Sequence, residues 1–180
     1  MNEGLIPRRY AKALYKVAVE RKVDSRMYAL MQTLANSFDT TPGLRATVAN
    51  PFVAQEEKDK IIATAAGAAD ADTTFADFLK LLAQNKRTDM LNEIARAYVE
   101  IYRQEHNIRK VEVVSAAPLD PAVEKRIVSL VEKHLNGASM EFSTAVDPSL
   151  VGGFVINVDN ERLDASVSHQ LKELRQSLLN

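Results

Sequence analysis

Four carboxylates close to the C-terminal end are the side chains whose type and clustering could do chemistry, namely Asp147, Asp159, Glu161 and Asp164. Carboxylates gathered at one place can bind a cation or move protons. The spacing of these four does not follow that of a calcium-binding loop, and each stands where a turn or a helix start needs an oxygen acceptor. Structural use is therefore the preferred interpretation, and no metal site is predicted.

The three histidines are the next candidates for a metal ligand or a general base. His106, His134 and His169 show no paired spacing typical of zinc, and none has a recognisable serine partner. We expect them to face solvent. The chain has no cysteine, which excludes disulfides, thiolate catalysis and cysteine-bound zinc. The sequence therefore predicts no catalytic residue and no cofactor.

The glycine pair Gly152-Gly153 could suggest a loop that binds phosphate. Such a loop needs a longer glycine pattern that leads from a strand into a helix, usually with a lysine and a Ser/Thr. Here a strand-like segment, Phe154 to Ile156, follows the pair instead. We predict a tight turn or bulge, in which Asp147 and Pro148 open the turn and Gly153 takes a positive φ.

A basic cluster near the start of the chain is formed by Arg8, Arg9, Lys12 and Lys16. It could attract acidic residues that flank an incoming helix, or it could bind nucleic acid. The plainer interpretation is a solvated helix face. No interleaved aromatic platform and no strongly basic domain accompany the cluster, so the solvated face is preferred and nucleic-acid binding is a poor second.

The composition is that of a globular chain whose partners are proteins. Hydrophobic residues make up 46% of the 180 residues and charged residues 26%, which is enough apolar material for a core. The net charge of -1 gives no electrostatic case for nucleic acid or an anionic membrane. The start of the chain lacks the features of a signal or transit peptide, and no window approaches the ~20 apolar residues that span a bilayer. We expect a cytosolic protein, or one peripheral to a larger assembly.

Short helices separated by breakers are predicted for residues 1–105. Apolar residues recur there at three- and four-residue spacing, and the breakers are Thr41-Pro42-Gly43 and Asn50-Pro51. The predicted helices begin at about residues 7, 24, 44, 56, 72 and 88. Helices this short need tertiary packing for stability, so we predict a compact six-helix bundle.

The pattern changes after the polar stretch Glu105-His106-Asn107, so residues 106–180 are predicted to form a second, C-terminal domain. The β-branched run from Val111 to Ser115 favours a strand. The remaining predicted elements are a helix entered at Pro121, strands over 140–146 and 154–158, and a last helix from Asp164, as its cap, to Leu179. The predicted fold class is mainly α, a helical bundle followed by a small α+β domain in the order strand, helix, strand, strand, helix.

Four motifs occur in an order that resembles a known family. They are the run Arg9-Tyr10-Ala11-Lys12-Ala13-Leu14, the pair Asn50-Pro51, the run from Phe75 to Arg87, and the Asp-Pro-x-Leu-x-Gly-Gly passage at Asp147. Together they resemble the delta subunit of bacterial F-type ATP synthase, which is equivalent to the mitochondrial oligomycin-sensitivity-conferring protein. The likeness covers nearly the whole chain. Asp147, Pro148, Gly152, Gly153 and Asp164 form its structural signature.

The resemblance implies a stator subunit without an active site. Such a protein belongs to the peripheral stalk at the cytoplasmic face of the bacterial plasma membrane, and it keeps the catalytic head from turning with the rotor during proton-driven ATP synthesis. Its helical domain would hold the N-terminal helix of an alpha subunit between the first and fifth helices, and its C-terminal domain would meet the b-subunit stalk. The groove residues that the resemblance implies are Tyr10, Ala11, Leu14, Ala18, Phe75, Phe78, Leu79 and Leu82.

Other interpretations stay open at this stage. Each apolar residue of the implied groove could instead pack the core of the bundle, because buried positions outnumber interface positions. Tyr15 is the exception, since it lies off the apolar stripe of the first helix and a tyrosine outside a core face suits an interface. The alternatives for function are a helical adaptor unrelated to ATP synthase and, less favoured, a nucleic-acid-binding module.

Overall fold

The computed structural model describes residues 4–69, 72–135, 137–150, 152–159 and 161–166. The chain divides into two compact units, residues 1–103 and residues 104–180, which we call the helical unit and the sheet unit. Over the described residues, no helix is both long enough and apolar enough to cross a membrane. The predicted fold class is confirmed, because a helical bundle precedes a small mixed domain.

Six α-helices build the described part of the helical unit, and all six lie where the sequence predicts them. Their bounds are α1 Leu5–Glu20, α2 Asp24–Thr40, α3 Leu44–Ala49, α4 Gln55–Ala66, α5 Thr73–Gln84 and α6 Leu91–Glu105, with a 3-10 turn over Thr88–Met90. The predicted breakers account for the ends. Asn50 is extended (φ -70°, ψ 119°) because the residue before a proline avoids the helical region. Gly67 ends α4 in the left-handed conformation at φ 67°, which glycine adopts without a steric penalty.

The sheet unit is a four-stranded mixed sheet with one described helix. Its elements are β1 Ile108–Ser115, α7 Pro121–His134, β2 Ser139–Val146, β3 Gly153–Val158 and β4 Glu161–Ser166, in the sheet order β2-β1-β3-β4. β1 and β2 are parallel, so the chain must cross over between them, and α7 is that crossover. Asp120 caps α7 by accepting a 2.7 Å hydrogen bond from the Ala122 N–H, and Pro121 fits the first helical position.

The core of the sheet unit lies between α7 and one face of the sheet. Val111 and Val113 of β1 and Ile156 of β3 are buried against Ile127 and Val131 of α7. The alternation along β1 follows the two-residue period of a strand, and the spacing on α7 follows the helical period. These are the periodicities that predicted both elements.

One element of the sheet unit was predicted wrongly. Asp164 was expected to cap a last helix, but it lies inside β4, where it pairs with Val155 of β3. Val158 and Glu161 are already paired, and Asp159 between them takes a φ of 49°, as two-residue hairpin turns require. The hairpin gives the backbone of β4 hydrogen-bond partners, which outweighs the local capping signal. The rest of the expected helix, up to Leu179, lies outside the described residues.

The Asp147 passage forms the predicted turn. The Asp147 carboxylate accepts a 2.9 Å hydrogen bond from the Ser149 N–H, and its backbone carbonyl accepts one of 3.1 Å from Leu150. Hydrogen bonds from Ser149 lower the pKa of Asp147. Gly153 begins β3 with a φ of 78°, a backbone angle that glycine adopts without the steric cost of a side chain. The passage is therefore a turn followed by a backbone bend that leads into a strand.

We expect Gly153→Ala to destabilise the chain by roughly 1–2 kcal/mol, because a Cβ is disfavoured in the left-handed region. Gly43→Ala is the matched control, since Gly43 has a φ of -82° and nothing lies within 4 Å of the position of an added Cβ. The control should leave stability unchanged or raise it by up to about 1 kcal/mol. Urea unfolding of both variants measures the difference, and equal stabilities would show that Gly153 is not needed for its conformation.

Candidate functional site

The first helix presents two different apolar rows. One row faces the core of the helical unit and is buried, and it consists of Pro7, Ala11, Leu14 and Ala18. The second row runs along the flank of α1 and is only partly covered, and it consists of Ile6, Tyr10, Ala13 and Val17. Its spacing of four, three and four residues keeps these side chains on one side of a helix. Val17 remains 38% exposed, which is high for a β-branched aliphatic residue beside a core.

The fifth helix has a comparable flank. Its buried side chains are Thr74, Phe75, Phe78, Leu79 and Leu82, while Leu81 is 44% exposed. Thr74, Asp77 and Leu81 follow one another at three- and four-residue spacing, so they lie along the same side of α5. Leu81 therefore extends the row that begins at Thr74.

Arg21 joins these two flanks. The residue follows α1 one turn after Val17, and its Nη1 atom lies 3.1 Å from the Thr74 hydroxyl oxygen and 3.2 Å from Asp77 Oδ2. The side chains of Arg21 and Asp77 are both about half exposed, so the ion pair adds little stability. Its value is geometric, because it places the C-terminal end of α1 beside the first turns of α5. We give the name α1/α5 furrow to the two partly covered flanks together, whose apolar residues are Ile6, Tyr10, Ala13, Val17 and Leu81.

A second arginine fixes the start of α5. Arg26 of α2 donates from Nε and Nη2 to the two carboxylate oxygens of Asp72, at 3.1 and 2.8 Å, and the Ala69 N–H donates to Asp72 at 2.8 Å. Asp72 stands at the N-cap position of α5, but its side chain makes no hydrogen bond to the helix. The hydrogen bond from Arg26 is the main reason that the pKa of Asp72 is lowered.

Tyr15 belongs to an aromatic cluster within the helical unit. Its ring meets those of Tyr98 and Tyr102 edge-on, with centroids 6.0 and 6.4 Å away, and Tyr28 stacks on Tyr102 at 4.2 Å. Tyr15 lies on the flank of α1 opposite to Tyr10. Its position off the buried stripe is thus explained by contacts with α6, and the structure does not bring it to the furrow.

The structure divides the groove residues implied by the resemblance. Tyr10 borders the furrow and is partly exposed. The other seven are buried in the unit's own core, namely Ala11, Leu14, Ala18, Phe75, Phe78, Leu79 and Leu82. Ala11, Ala18 and Leu82 have no exposed surface at all. They therefore pack in the core and fix the positions of α1 and α5, without being accessible to a partner.

Sequence reasoning did not assign Ile6, Ala13, Val17 or Leu81 to the partner site. Ala13 and Val17 are exposed, and the core row of α1 runs instead through Pro7, Ala11, Leu14 and Ala18. The signal that could have found them is the second apolar row on α1, one position out of phase with the first.

The acidic residues near the C-terminal end have structural partners. Asp159 accepts hydrogen bonds from Arg109 Nη1 and from the Lys110 N–H, both at 3.0 Å, and Asp164 lies 3.4 Å from Arg162 Nη2. Among the described residues, no group of three or more metal-ligating side chains comes together. The candidate site remains the pair of partly covered apolar flanks on α1 and α5.

Comparison with known proteins gives concordant matches over the whole length. The family model described as "ATP synthase delta (OSCP) subunit" matches residues 6–178. ATP synthase subunit delta of Parabacteroides distasonis is 38% identical over 179 residues, covering 99% of this chain and 98% of that protein. The same subunit of Bacteroides fragilis is 39% identical over 181 residues, covering 100% of this chain and 97% of that protein.

One solved structure supports the fold. A chain in the cryo-EM structure of the Toxoplasma gondii mitochondrial ATP synthase hexamer matches with a TM-score of 0.74 at 23% identity, over 97% of each chain. At that level of identity the likeness is evidence for the shared fold alone.

The Arg26–Asp72 pair generates a test by pH. A carboxylate whose pKa is lowered on folding stabilises the fold above its unfolded pKa of about 3.9, and the benefit is lost as pH falls through the lower folded value. We therefore expect Asp72→Asn to be less stable than the unaltered chain at pH 7, with the difference shrinking steadily below about pH 4. Thermal unfolding between pH 7 and pH 2 measures it.

Asp77→Asn is the matched control for this change. It removes the same charge from α5, but from an ion pair whose side chains are 49% and 57% exposed. Such pairs add little, so the control should stay close to the unaltered chain at neutral pH. A deficit of Asp72→Asn that persists unchanged at pH 2 would contradict the role given to the Asp72 carboxylate.

Proposed function

This chain belongs to the ATP synthase delta (OSCP) subunit family, and from that membership we propose that its helical unit binds the N-terminal helix of an alpha subunit in the α1/α5 furrow. The chain is a non-catalytic subunit of the F-type ATP synthase and serves in the peripheral stalk, the stator of that complex. The stator holds the catalytic head against the torque of the rotor while ATP is made.

The observation that carries the proposal is the pair of partly exposed apolar flanks on α1 and α5. Val17 and Leu81 are 38% and 44% exposed, although each stands beside fully buried neighbours. An amphipathic helix that places its apolar face in such a furrow removes this surface from water, at about 25 cal/mol for each Å² buried. A helix is thus the partner whose shape and polarity suit the furrow.

The walls of the furrow are formed before any partner arrives. The row from Pro7 to Ala18 is buried against the core, and α5 is held by Phe75, Phe78 and Leu82 on its inner side. A receptor that needs no rearrangement avoids the ordering cost that weakens many protein complexes. This rigidity suits a stator, because a compliant joint would yield under torque.

We further propose that the sheet unit contacts the b-subunit stalk. One chain that holds the head with one unit and the stalk with the other gains from effective concentration, since linking two sites raises net affinity by about 10²–10⁴-fold when geometry allows both. The proposed location is the cytoplasmic face of the plasma membrane, where the protein is peripheral as a part of the complex.

The furrow can be tested by titrating the full chain with a peptide copy of the alpha subunit's N-terminal segment and following backbone amide shifts by NMR. Val17→Asp and Leu81→Asp should each weaken binding by about tenfold or more, because each places a charge in a surface that binding removes from water. Amides of α1 and α5 should shift in the unaltered chain.

Val19→Asp is the matched control. Val19 is 46% exposed, but two residues along a helix rotate the side chain by about 200°, so it lies on the side of α1 away from the furrow. Its substitution should leave the affinity within about twofold. Amide shifts confined to residues outside α1 and α5 would rule out the furrow as the binding site. An equal loss of affinity for the peptide in Val19→Asp would rule it out as well.

The role of the second unit needs a separate measurement. Mixing the full chain with the isolated catalytic head and with the soluble part of the b-subunit, followed by size-exclusion chromatography, should give a ternary complex. A chain cut back to residues 1–103 should retain the head and lose the stalk component. Retention of the stalk component by that fragment would contradict the proposed division of labour.

A further inference from the structure

Four cations on α1 are left without an assigned role by the fold. We call Arg8, Arg9, Lys12 and Lys16 the α1 cation row; all four are exposed. No acidic residue stands between Leu5 and Val19, and the first on this helix is Glu20. The first three turns of α1 thus carry positive charge only.

The cation row differs from four arginines of the helical unit. Arg21, Arg26, Arg45 and Arg96 each form an ion pair with a carboxylate, respectively Asp77, Asp72, Glu93 and Asp39. Within the described ranges, none of the four row residues forms an ion pair or a side-chain hydrogen bond. The unit therefore satisfies many of its exposed arginines internally but leaves this row to solvent.

The row also works against the stability of the helix that carries it. Arg8 and Lys12, and Lys12 and Lys16, are like charges four residues apart, which repel across one helical turn. The row begins in the first turn, where the positive end of the helix dipole disfavours cations, and that turn contains no acid. Folding alone gives no reason for this arrangement, so a reason must be sought in binding.

Two members of the row border the α1/α5 furrow. On a helix of 3.6 residues per turn, Arg9 and Lys16 lie on the outward side of α1, about 40–60° around the helix from Ala13. They form the rim of the furrow on α1. On the α5 side the charged groups are Asp77, which pairs with Arg21, and the exposed Lys80. Glu20, the last residue of α1, is exposed and is the one carboxylate on the α1 rim among the described residues, so this rim carries two cations along the helix and an acid at its end.

We infer that the helix bound in the α1/α5 furrow carries acidic residues along one edge of its apolar row, which pair with Arg9 and Lys16. This inference rests on the proposed function and specifies the chemistry of the partner. Complementary charge at the rim of an apolar interface mainly accelerates association and sets the orientation of the bound segment. The rim therefore fixes which way round the partner helix lies.

A helical peptide fits this surface better than an anionic membrane or a nucleic acid does. Only Arg9 and Lys16 flank the row of apolar side chains, and the whole chain has a net charge of -1. Lipid surfaces and nucleic acids are recognised by broader basic faces. An apolar row with a charged edge is the complement of an amphipathic helix.

The test measures dissociation constants by fluorescence anisotropy, with the full chain and a labelled peptide copy of the alpha subunit's N-terminal segment. Arg9→Glu combined with Lys16→Glu should weaken binding by about tenfold or more in 50 mM salt, and the affinity of the unaltered chain should fall as salt rises to 500 mM. A peptide whose Asp and Glu residues are replaced by Lys should bind the doubly reversed chain more tightly than the unaltered one.

Lys60→Glu combined with Lys125→Glu is the matched control. Both lysines are exposed on helices other than α1 and α5, and the two double variants have the same net charge. The control should keep the affinity of the unaltered chain within about twofold. Thermal unfolding separates binding from folding, because the doubly reversed chain loses the Lys12–Lys16 repulsion but gains one between position 16 and Glu20, so it should melt close to the unaltered chain.

The outcomes separate this inference from the proposed function. If the peptide binds the unaltered chain and the doubly reversed chain equally well, the inference of an acidic edge on the partner helix is wrong. The proposal that the peptide binds in the furrow is not affected by that result. If the unaltered chain does not bind the peptide, the proposed function and the inference both fail. Sedimentation with vesicles of anionic phospholipid that disappears in the doubly reversed chain would assign the row to a membrane surface and overturn the inference.

Discussion

The rotation of α1 about its own axis is the constraint on which the binding surface depends. Burial of Ala11, Leu14 and Ala18 fixes that rotation, because turning the helix would expose this row and bury charge. With the rotation fixed, the second apolar row faces α5, the cation row faces outward, and Tyr15 faces α6. Small residues in the buried row let α1 lie close to its neighbours. The packing of this one row therefore determines which way the second apolar row, the cation row and Tyr15 face.

The resemblance points to α1 and α5 as the partner helices, and the structure shows which residues on them are exposed. Periodicity predicts an apolar row on α1, but two overlapping rows, one through Leu14 and one through Val17, both fit a helical period. Only the packing of the other helices tells them apart. Tyr15 was misjudged for the same reason, since its partners Tyr98 and Tyr102 are more than eighty residues away in the chain.

The sheet unit shows where local signals mislead and where they hold. Asp120-Pro121 and Asp147-Pro148 act within a few residues of themselves, so their turn and cap geometry followed from the sequence. Asp164 carries the same kind of signal but lies opposite Val155 in a hairpin, and strand pairing supersedes it. Asp159 was the missed signal, because an Asp-Asn pair between two alternating segments is typical of a tight hairpin turn.

The tyrosine cluster connects the proposed binding surface to the end of the helical unit. Tyr15 of α1 contacts Tyr98 and Tyr102 of α6, and Tyr28 of α2 stacks on Tyr102 and accepts a hydrogen bond from Arg103, the last residue of the unit.

Tyr98 is fully buried, and its hydroxyl donates to the Asp24 carbonyl at 3.3 Å; burial is the main reason that its pKa is raised. A pull on a helix held in the furrow would therefore pass from α1 to α6 through stiff aromatic contacts with two rotatable bonds per side chain.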